Sequence, residues 1–499
     1  MRTIARRLSF VSACILCPAW VQAQESVPER LTLAEALEIA HRNSPILLRA
    51  QNDEAVADWD VRQAYGRLLP SANASGRVTW QGSGEQQFGN LTAGDLGFAD
   101  QPSYYFSSYD LGVSYSLDWA TLKGPARAKA ERRATLARID VVGADLTAAV
   151  TRAWVEVVRR SELRATADQQ LENARINLRL AEGQLAVGTV TPIDVGQAEI
   201  QVGRAEVQVL QSQNAVETSR MRLLQNMGLR VDQPVEPVAE LDLYEPPWEF
   251  ESLRSMATRQ SPTLQASQRV REAADLGVSA ARSSYYPTLS LSTGWGGFAR
   301  EASNPDFLVA QAQAQATSNI SRCVTTNDLY SRLADPLPPL DCSQLVFTDD
   351  QRRRIIESND QFPFGFQRSS PSVSLGLSIP IFQGLSRQRN LEAARVQRDD
   401  AIQDLREREL ALDADLRIAL ANVRTAYQSA LLEGRNRDLA ERQLTLARER
   451  YQVGTITFVE LVDAQTLLSQ AESDRIVAVF AYHDAVTELE ALVGVSLRD

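Results

Sequence analysis

Histidine is nearly absent from this 499-residue sequence, which removes the side chain most used as a metal ligand and as an acid–base catalyst. The only two histidines, His41 and His483, lie in separate helical patterns, and neither has metal-ligand spacing around it. The sequence also lacks a P-loop, a G-x-S-x-G nucleophile elbow and a dinucleotide-binding fingerprint. We therefore expect a protein that is not an enzyme and that holds no cofactor and no metal ion.

Long apolar runs are missing beyond the N-terminus. No stretch after residue 23 approaches the roughly 20 apolar residues of a membrane-spanning helix, so we predict none. Residues 1–23 are predicted to be a secretory signal peptide, because arginines precede an apolar segment that ends in a small-residue cleavage site at Ala23. Lipidation at Cys14 stays open as an alternative. The segment carries three arginines and no acid, so its removal changes the formal net charge from −11 to −14, which argues against a nucleic-acid partner.

Cysteine is scarce. The sequence has four cysteines, and two of them belong to the predicted signal peptide. The remaining pair, Cys323 and Cys342, is most simply a disulfide in an oxidising compartment, with two free thiols as the alternative.

The two halves of the sequence repeat each other. Ser44-Pro45 recurs as Ser261-Pro262, 217 positions later, and the phrase around Gly188 recurs around Gly454, 266 positions later. The difference of 49 residues indicates extra sequence in the second half. A duplication of this kind can determine the whole fold.

The repeat divides the chain. We predict a first structural repeat at 24–232, a proline-rich, ordered linker at 233–248 and a second structural repeat at 249–499. The extra residues of the second repeat are expected as a surface-loop insertion over about 299–370.

Apolar and polar residues alternate in each half. Apolar residues occupy every second position from Tyr109 to Leu117 and from Val373 to Ile381, and a partner run precedes each. The partner run at Leu289–Trp295 is clear, and the one at Val78–Trp80 is weaker. This period predicts two strands per half, each close to the roughly 9–11 residues of a tilted membrane strand. A soluble β-sandwich shows the same alternation, so the strands alone leave that alternative open.

Heptad patterns follow the strands. Apolar or small residues step by three and four over 167–185, 195–223 and 461–489, which favours coiled-coil packing. Between Arg387 and Gln452 there is no proline and only one glycine, and a continuous helix there would be about 100 Å long. Because one compact sandwich cannot accommodate such a helix, this segment excludes the plain sandwich.

The repeated phrase lies between the heptad runs of each half. Its glycine can end one helix in the left-handed conformation, and its second threonine can cap the next helix. An acid stands three residues later in each copy, Asp194 and Glu460, and the second copy, Thr-Phe-Val-Glu, fits a capping box. Each phrase therefore predicts the tip of a long α-hairpin. The tip residues are Val187, Gly188, Thr189, Thr191, Val453, Gly454, Thr455 and Thr457.

Four strands cannot form a membrane sheet alone. A sheet in lipid must close on itself, and single-chain barrels begin at about eight strands. Several copies of the chain are therefore expected to pool their strands.

The combination of these features resembles the TolC-type outer-membrane efflux protein (outer membrane factor) family over essentially the whole mature chain. The resemblance rests on the signal peptide, the two homologous halves, the strand-flanked α-hairpins, the Ser-Pro near each half's start and V-G-T-x-T-x-x-[DE] at each tip. It implies an α+β membrane protein and a homotrimer. Its β-barrel, with four strands per protomer and twelve in total, would be continuous with a long α-helical coiled-coil barrel.

The resemblance also implies a location, partners and a function. The barrel would lie in outer-membrane lipid of a bacterial cell and the helices in the periplasm. The partners would be a periplasmic adaptor (membrane fusion) protein, docking at the hairpin tips, and an inner-membrane transporter of the RND, ABC or MFS type. The channel-tunnel would export small molecules such as drugs and toxic compounds from a tripartite efflux pump. The exit duct of a type I protein secretion system is the alternative, and a structural periplasmic coiled coil without a pore is less favoured because it needs no alternating strands.

A periplasmic gate is implied by position. Glu460 and Asp463 match acidic residues that narrow the family's tunnel, and Tyr451 with Asp194 matches a gate hydrogen bond. The best-known member of the family has an arginine two residues past the tip glycine, and this residue is Ile456 here, which puts an arginine latch in doubt.

Simpler roles compete with the gate. Asp194 and Glu460 have a capping role that is sufficient to explain them, and Tyr451 could merely fill a heptad seam. Asp463 has no capping role, and its first-half counterpart is Gln197. Asp463 is therefore the best single candidate for a selectivity residue.

Overall fold

The computed structural model describes residues 30–84, 87–88, 90–92, 101–238, 241–335 and 337–498. The predicted signal peptide lies outside the described residues. The chain forms two compact units. The helical unit contains the described residues up to Asp53, Leu136–Ala266 and those from Arg406 onward, and the sheet unit contains Glu54–Thr135 and Ser267–Leu405.

The elements follow each other in this order: β1 (Arg30–Leu31), α1 (Leu33–Asn43), α2 (Pro45–Gly66), β2 (Ser71–Gln81), β3 (Gln87–Phe88), β4 (Leu91–Thr92), β5 (Tyr104–Leu117), α3 (Trp119–Ala186), α4 (Pro192–Asn226), β6 (Glu236–Pro237), α5 (Phe250–Gln260), α6 (Pro262–Arg282), β7 (Thr288–Ala302), α7 (Pro305–Ser331), α8 (Asp349–Asn359), β8 (Gln367–Arg368), β9 (Ser372–Ser378), α9 (Ser386–Gln452) and α10 (Phe458–Val493). Short 3₁₀ helices lie at Ser283–Tyr285 and Cys342–Leu345.

One antiparallel sheet dominates the sheet unit. β2 pairs with β5, β5 with β7, and β7 with both β9 and the two-residue β8. The four longer strands of this sheet lie where the alternating pattern predicts them, and β5 and β7 extend the predicted segments to 14 and 15 residues. β9 is shorter than predicted, because it has 7 residues and ends at Ser378, before the predicted end at Ile381.

The register separates the two faces of the sheet. Leu291 pairs with Tyr115 on one side and with Leu375 on the other, so one face is an apolar row. The opposite face carries hydroxyl groups, as where Ser292 lies between Ser114 and Ser374. Leu375 is 70% exposed and Leu291 is 41% exposed, so the described residues of one chain leave this apolar face largely uncovered.

The insertion differs from the predicted loop because most of it is helical. Asn304 caps α7 by accepting a hydrogen bond from the Asp306 backbone, with Pro305 in the first turn, and Thr348 caps α8. Asparagine and threonine are favoured N-cap residues and proline is favoured in the first turn, so the sequence contains local signals for both helices. The side chain of Asn359, at the end of α8, binds both the backbone N–H and the carbonyl of Ala302 at 2.7 and 2.8 Å and so attaches the insertion to β7.

Two pairs of long helices confirm the predicted hairpins. α9 runs unbroken for 67 residues, as the absence of proline predicts, and α3 for 68. Helix bounds also recur at the two offsets of the sequence repeat: α1 and α5 differ by 217 positions and the starts of α4 and α10 by 266. None of the helices in the described part of the chain is both long enough and apolar enough to cross a membrane.

Apolar clusters hold the helical unit together. One cluster surrounds Trp154 and Leu223, and a second surrounds Tyr482 and Leu416. All four of these side chains are fully or almost fully buried. The described part of the predicted linker joins both, since Val235 lies in the first cluster and Tyr244 packs against the second.

Candidate functional site at the hairpin tips

The two hairpin tips have the same backbone geometry. Gly188 and Gly454 have φ angles of 78° and 75°, in the left-handed region that favours glycine. The next residue then reaches back to the last turn of its helix. The Thr189 N–H donates to the Gln184 carbonyl at 3.0 Å, and the Thr455 N–H donates to the Arg450 carbonyl at 2.9 Å. Each helix thus ends in a glycine C-cap, as the repeated phrase predicts.

A capping box begins each return helix, and the one at Thr457 is as predicted. The backbone N–H and hydroxyl of Thr457 donate to the Glu460 carboxylate at 2.8 and 3.0 Å. The same groups of Thr191 donate to Asp194, both at 2.8 Å. These hydrogen bonds, the backbone one first, lower the pKa of both carboxyl groups. Asp194 and Glu460 therefore have the capping role, which does not by itself exclude a second one.

Tyr451 is buried where the two hairpins meet. Only 7% of it is exposed, and its ring packs 6.0 Å from that of Phe458 in an apolar cluster. The cluster consists of Ala181, Ala198, Leu444, Tyr451, Phe458, Leu461 and Ala464. Burial, and then the negative charge of Asp194, raise the pKa of the Tyr451 hydroxyl. Tyr451 therefore fills the seam and also presents a polar group there.

The hydrogen bond of Tyr451 differs from the implied one. Its hydroxyl donates to the side-chain carbonyl of Gln184 at 2.6 Å and not to Asp194. The charge of Asp194 is near enough to raise the pKa of the Tyr451 hydroxyl. The Asp194 carboxylate instead accepts a hydrogen bond from the Thr191 backbone N–H at the start of α4. The implied pair of Tyr451 and Asp194 is thus replaced by a pair of Tyr451 and Gln184.

Asp463 lies almost one turn beyond Glu460 on α10. It is exposed and makes no hydrogen bond or ion pair with the described residues, which agrees with its lack of a capping role. Ile456, two residues past the tip glycine, is half-buried and packs against the apolar cluster. The structure places Asp194 near the Tyr451 hydroxyl and packs Ile456 against the cluster that contains Tyr451. Glu460 and Asp463 are both exposed on α10.

A second polar contact between the hairpins lies outside the predicted site. The Asn177 amide donates to Gln465 at 2.6 Å, and the Gln465 amide donates back to Asn177 at 3.2 Å. Both residues border a groove of about 310 Å³ between the hairpins. One signal could have revealed the pair: each amide lies 11 residues from its own tip glycine, at adjoining heptad positions.

The tips also expose apolar side chains. Val187 and Val453 are 75% and 73% exposed, and Ile193, which is not among the predicted tip residues, is 71% exposed. The tip glycines and threonines named above are exposed as well. Apolar groups left in solvent at the same place on both repeats are suited to contact with another protein.

The predicted cysteine pair lies in the sheet unit. Cys323 and Cys342 form a disulfide with their Cα atoms 5.9 Å apart, which links α7 to the 3₁₀ helix before α8. The Asn327 side chain binds the Leu340 backbone on both its N–H and its carbonyl, so the bridged segment is also held by hydrogen bonds. No group of three histidine, cysteine or acidic side chains suited to a metal ion occurs among the described residues.

Comparison with known protein families identifies the family of this chain. The model of the outer membrane efflux protein family matches residues 36–229 and 334–495, which is more than two thirds of the chain. The chain belongs to the outer membrane efflux protein family. The matched ranges contain both hairpins and both tips. Curated protein sequences yield no match.

Solved structures share the fold of this family member. CusC matches with a TM-score of 0.68 and 17% identity, covering 93% of this chain and 92% of its own. The CmeC outer membrane channel of Campylobacter jejuni matches with a TM-score of 0.69 and 14% identity over 93% and 85%. The MtrE outer membrane channel of Neisseria gonorrhoeae, described in its open state, matches with a TM-score of 0.66 and 16% identity over 93% and 89%. At these identities the likeness shows the common fold alone.

Proposed function

We propose that this protein is the outer-membrane channel of a tripartite efflux pump and that it exports small molecules, drugs and toxic compounds among them. The chain would act as a homotrimer that spans the bacterial outer membrane and extends through the periplasm. An adaptor protein and an inner-membrane transporter of the RND, ABC or MFS type would complete the pump. The transporter would supply the energy and, with the adaptor, select the cargo.

The observation that carries the proposal is the incomplete sheet. Four strands of seven or more residues leave their apolar face exposed, and four strands are too few to close in lipid. Three chains would contribute twelve strands with the apolar face toward lipid and the serine-rich face toward a lumen. Membership of the efflux family and the fold shared with the CmeC and MtrE outer membrane channels support the same assembly.

The hairpin tips would form the periplasmic end of this channel. Asp463, exposed and without a capping role, would form an acidic constriction, and Glu460 and Asp194 would add negative charge near it. The exposed tip residues, with Val187 and Val453 foremost, would dock the adaptor.

Assembly and conductance test the proposal directly. Detergent-purified protein should migrate as a heat-modifiable trimer on a gel and should form ion-conducting pores in planar bilayers. A monomer in detergent would contradict the assembly, and a homogeneous trimer that inserts into bilayers without conducting would contradict the channel.

A further inference from the structure

Large side chains gather at one end of the hydroxyl face, which is the face of the sheet on which Ser292 lies. β5 runs from Tyr104 to Leu117 and α3 begins at Trp119, so the Tyr104 end of the sheet is the end away from the long helices. In the half nearer to α3, the strand residues of this face are serine, threonine, glycine, asparagine and Asp110. The far half instead carries two arginines and three aromatic rings: Arg77, Tyr104, Phe106, Phe298 and Arg300.

The strand register places these five side chains side by side. Arg300 lies opposite Phe106, and its guanidinium carbon is 3.9 Å from the ring centre of Tyr104 and 5.6 Å from that of Phe106. In the next row, Phe298 and Arg77 lie on either side of Ser108. Because neighbouring strands are about 4.8 Å apart, long side chains in these rows can contact one ligand.

The two arginines have charge to offer. Arg77 and Arg300 are exposed, and neither forms an ion pair with the part of the chain that the structure describes. Asp110 is the acid nearest to them on this face, so two positive charges stand against one negative charge. A guanidinium that stacks on a ring keeps its in-plane N–H groups free to donate to a carboxylate or sulfonate. Phe298 is 48% exposed and offers an aromatic surface beside these donors.

The opposite face is closed at the same end. Phe362 packs 5.4 Å from Tyr105, and Phe366 packs edge-on 4.8 Å from Tyr109. The Ser107 hydroxyl donates to the Pro363 carbonyl at 2.6 Å, so the segment that leads into β8 is fixed on this side of the sheet. The positive and aromatic groups are therefore open only toward the hydroxyl face.

We propose that Arg77, Arg300 and Phe298 form a binding site for amphipathic organic anions. The carboxylate or sulfonate of such an anion binds the two guanidinium groups, and its apolar body lies on Phe298. Tyr104 and Phe106 hold the Arg300 guanidinium in place. The site would lie at the outer mouth of the lumen, opposite to the acidic hairpin tips, and this placement rests on the proposed channel function.

Binding of naphthalenesulfonate, a small aromatic anion, tests the site without requiring conductance. Saturation-transfer NMR on the protein in lipid nanodiscs measures its Kd, with empty nanodiscs as the blank. Naphthylmethyl-trimethylammonium, a cation of similar shape, should bind several-fold more weakly. Arg300→Gln and Arg77→Gln should each raise the Kd of the sulfonate several-fold, whereas Phe298→Ser should weaken both probes because both lose the ring.

The matched control is Arg368→Gln. Arg368 is an exposed arginine at the same level of the sheet, but it pairs with Gly297 and so lies on the opposite face. Its substitution removes the same charge and should leave both Kd values unchanged. Heat-modifiable trimer from every variant shows that weaker binding is not a failure to fold. Equal affinity for the two probes, or an equal loss in Arg368→Gln and Arg300→Gln, would overturn the site.

Current block separates the site from the proposed function. Naphthalenesulfonate added at the outer side of a planar bilayer should block the unsubstituted trimer and should block Arg300→Gln several-fold less. If the sulfonate binds through the two arginines while no preparation conducts, the anion site stands and the channel function fails. If the trimer conducts while the sulfonate neither binds nor blocks, the channel stands and the anion site fails.

Discussion

His483 is a titratable group enclosed by the helical unit. It is only 2% exposed, it packs against the Tyr482 ring, and its carbonyl accepts a hydrogen bond from the Arg498 guanidinium at 3.1 Å. Burial, and then the positive charge of Arg498, lower its pKa from 6.5 to about 4, while the Leu241 backbone and Asp242 act in the opposite direction. The imidazole is therefore neutral in the folded protein at neutral pH.

This burial predicts a pH-dependent stability. Between pH 6.5 and about 4 the unfolded chain binds a proton at His483 that the folded chain does not, so stability falls as the pH falls through this window. The loss is about 3 kcal/mol over the window, at about 1.4 kcal/mol per pKa unit. In His483→Gln the denaturant midpoint should fall less between pH 7 and pH 4 than in the unsubstituted protein. His41→Gln, which changes an exposed histidine, should keep the full pH dependence, and equal slopes in all three proteins would contradict the prediction.

Asp463 allows a test of selectivity at a single side chain. Because it is exposed and caps no helix, its carboxylate has no structural role that Asn would disturb. If three copies form an acidic constriction, Asp463→Asn should reduce the cation-over-anion permeability ratio several-fold and weaken block by multivalent cations in planar bilayers.

The control for this change is Glu182→Gln, which removes the same charge from an exposed position of the first hairpin. It should leave reversal potentials nearly unchanged. Unaltered selectivity in Asp463→Asn would remove Asp463 from the candidate site.

At the scale of elements, two different structural requirements favour glycine at helix ends. Gly454 ends α9 with a φ of 75°, and a Cβ added there would meet open space. Gly494 ends α10 with a φ of 85°, and a Cβ there would lie 2.6 Å from the Gln260 carbonyl oxygen. The first position requires only a left-handed conformation, whereas the second also requires the absence of a side chain.

Alanine substitution should separate the two requirements. Gly454→Ala should cost about 1 kcal/mol of stability, the strain of a left-handed non-glycine residue. Gly494→Ala should cost roughly 1–3 kcal/mol more, because the end of α5 at Gln260 must shift away from the new methyl group. Denaturation of the purified variants measures both costs. Equal losses would show that the contact with Gln260 does not constrain this helix end.

The hairpins themselves could be predicted closely from the sequence because their signals are local. A left-handed glycine, a capping threonine and an acid three residues later each act within one turn of helix, so the phrase that repeats in the sequence also repeats in the structure. The helices of the insertion have equally local signals at Asn304 and Thr348, although the prediction for this segment is a loop. The difference between the two repeat offsets shows where the second half has extra residues, but it carries no information about their conformation.

For the whole molecule, the two faces of the sheet make opposite predictions for a charged substitution. Leu375 lies on the exposed apolar face, and Ser374, its neighbour in β9, lies on the hydroxyl face beside Ser292. If the apolar face meets lipid, Leu375→Arg should cost about 2–4 kcal/mol per chain near the bilayer midplane.

The measurement is the amount of heat-modifiable trimer recovered from outer membranes. Leu375→Arg should greatly reduce it, while Ser374→Arg should assemble at nearly normal levels and instead alter conductance. Equal recovery of both variants would contradict a lipid-facing apolar row.

The sequence by itself determined the elements of this protein: the repeat, the strand periods, the long helices and the hairpin tips. Each depends on interactions between residues close together in the chain. Only the tertiary structure decided which side chains meet between hairpins, since Tyr451 and Gln184 lie 267 positions apart and Asn177 and Gln465 lie 288 apart. A hydrogen bond between distant residues depends on how two helices rotate and slide against each other, and no local pattern encodes that geometry.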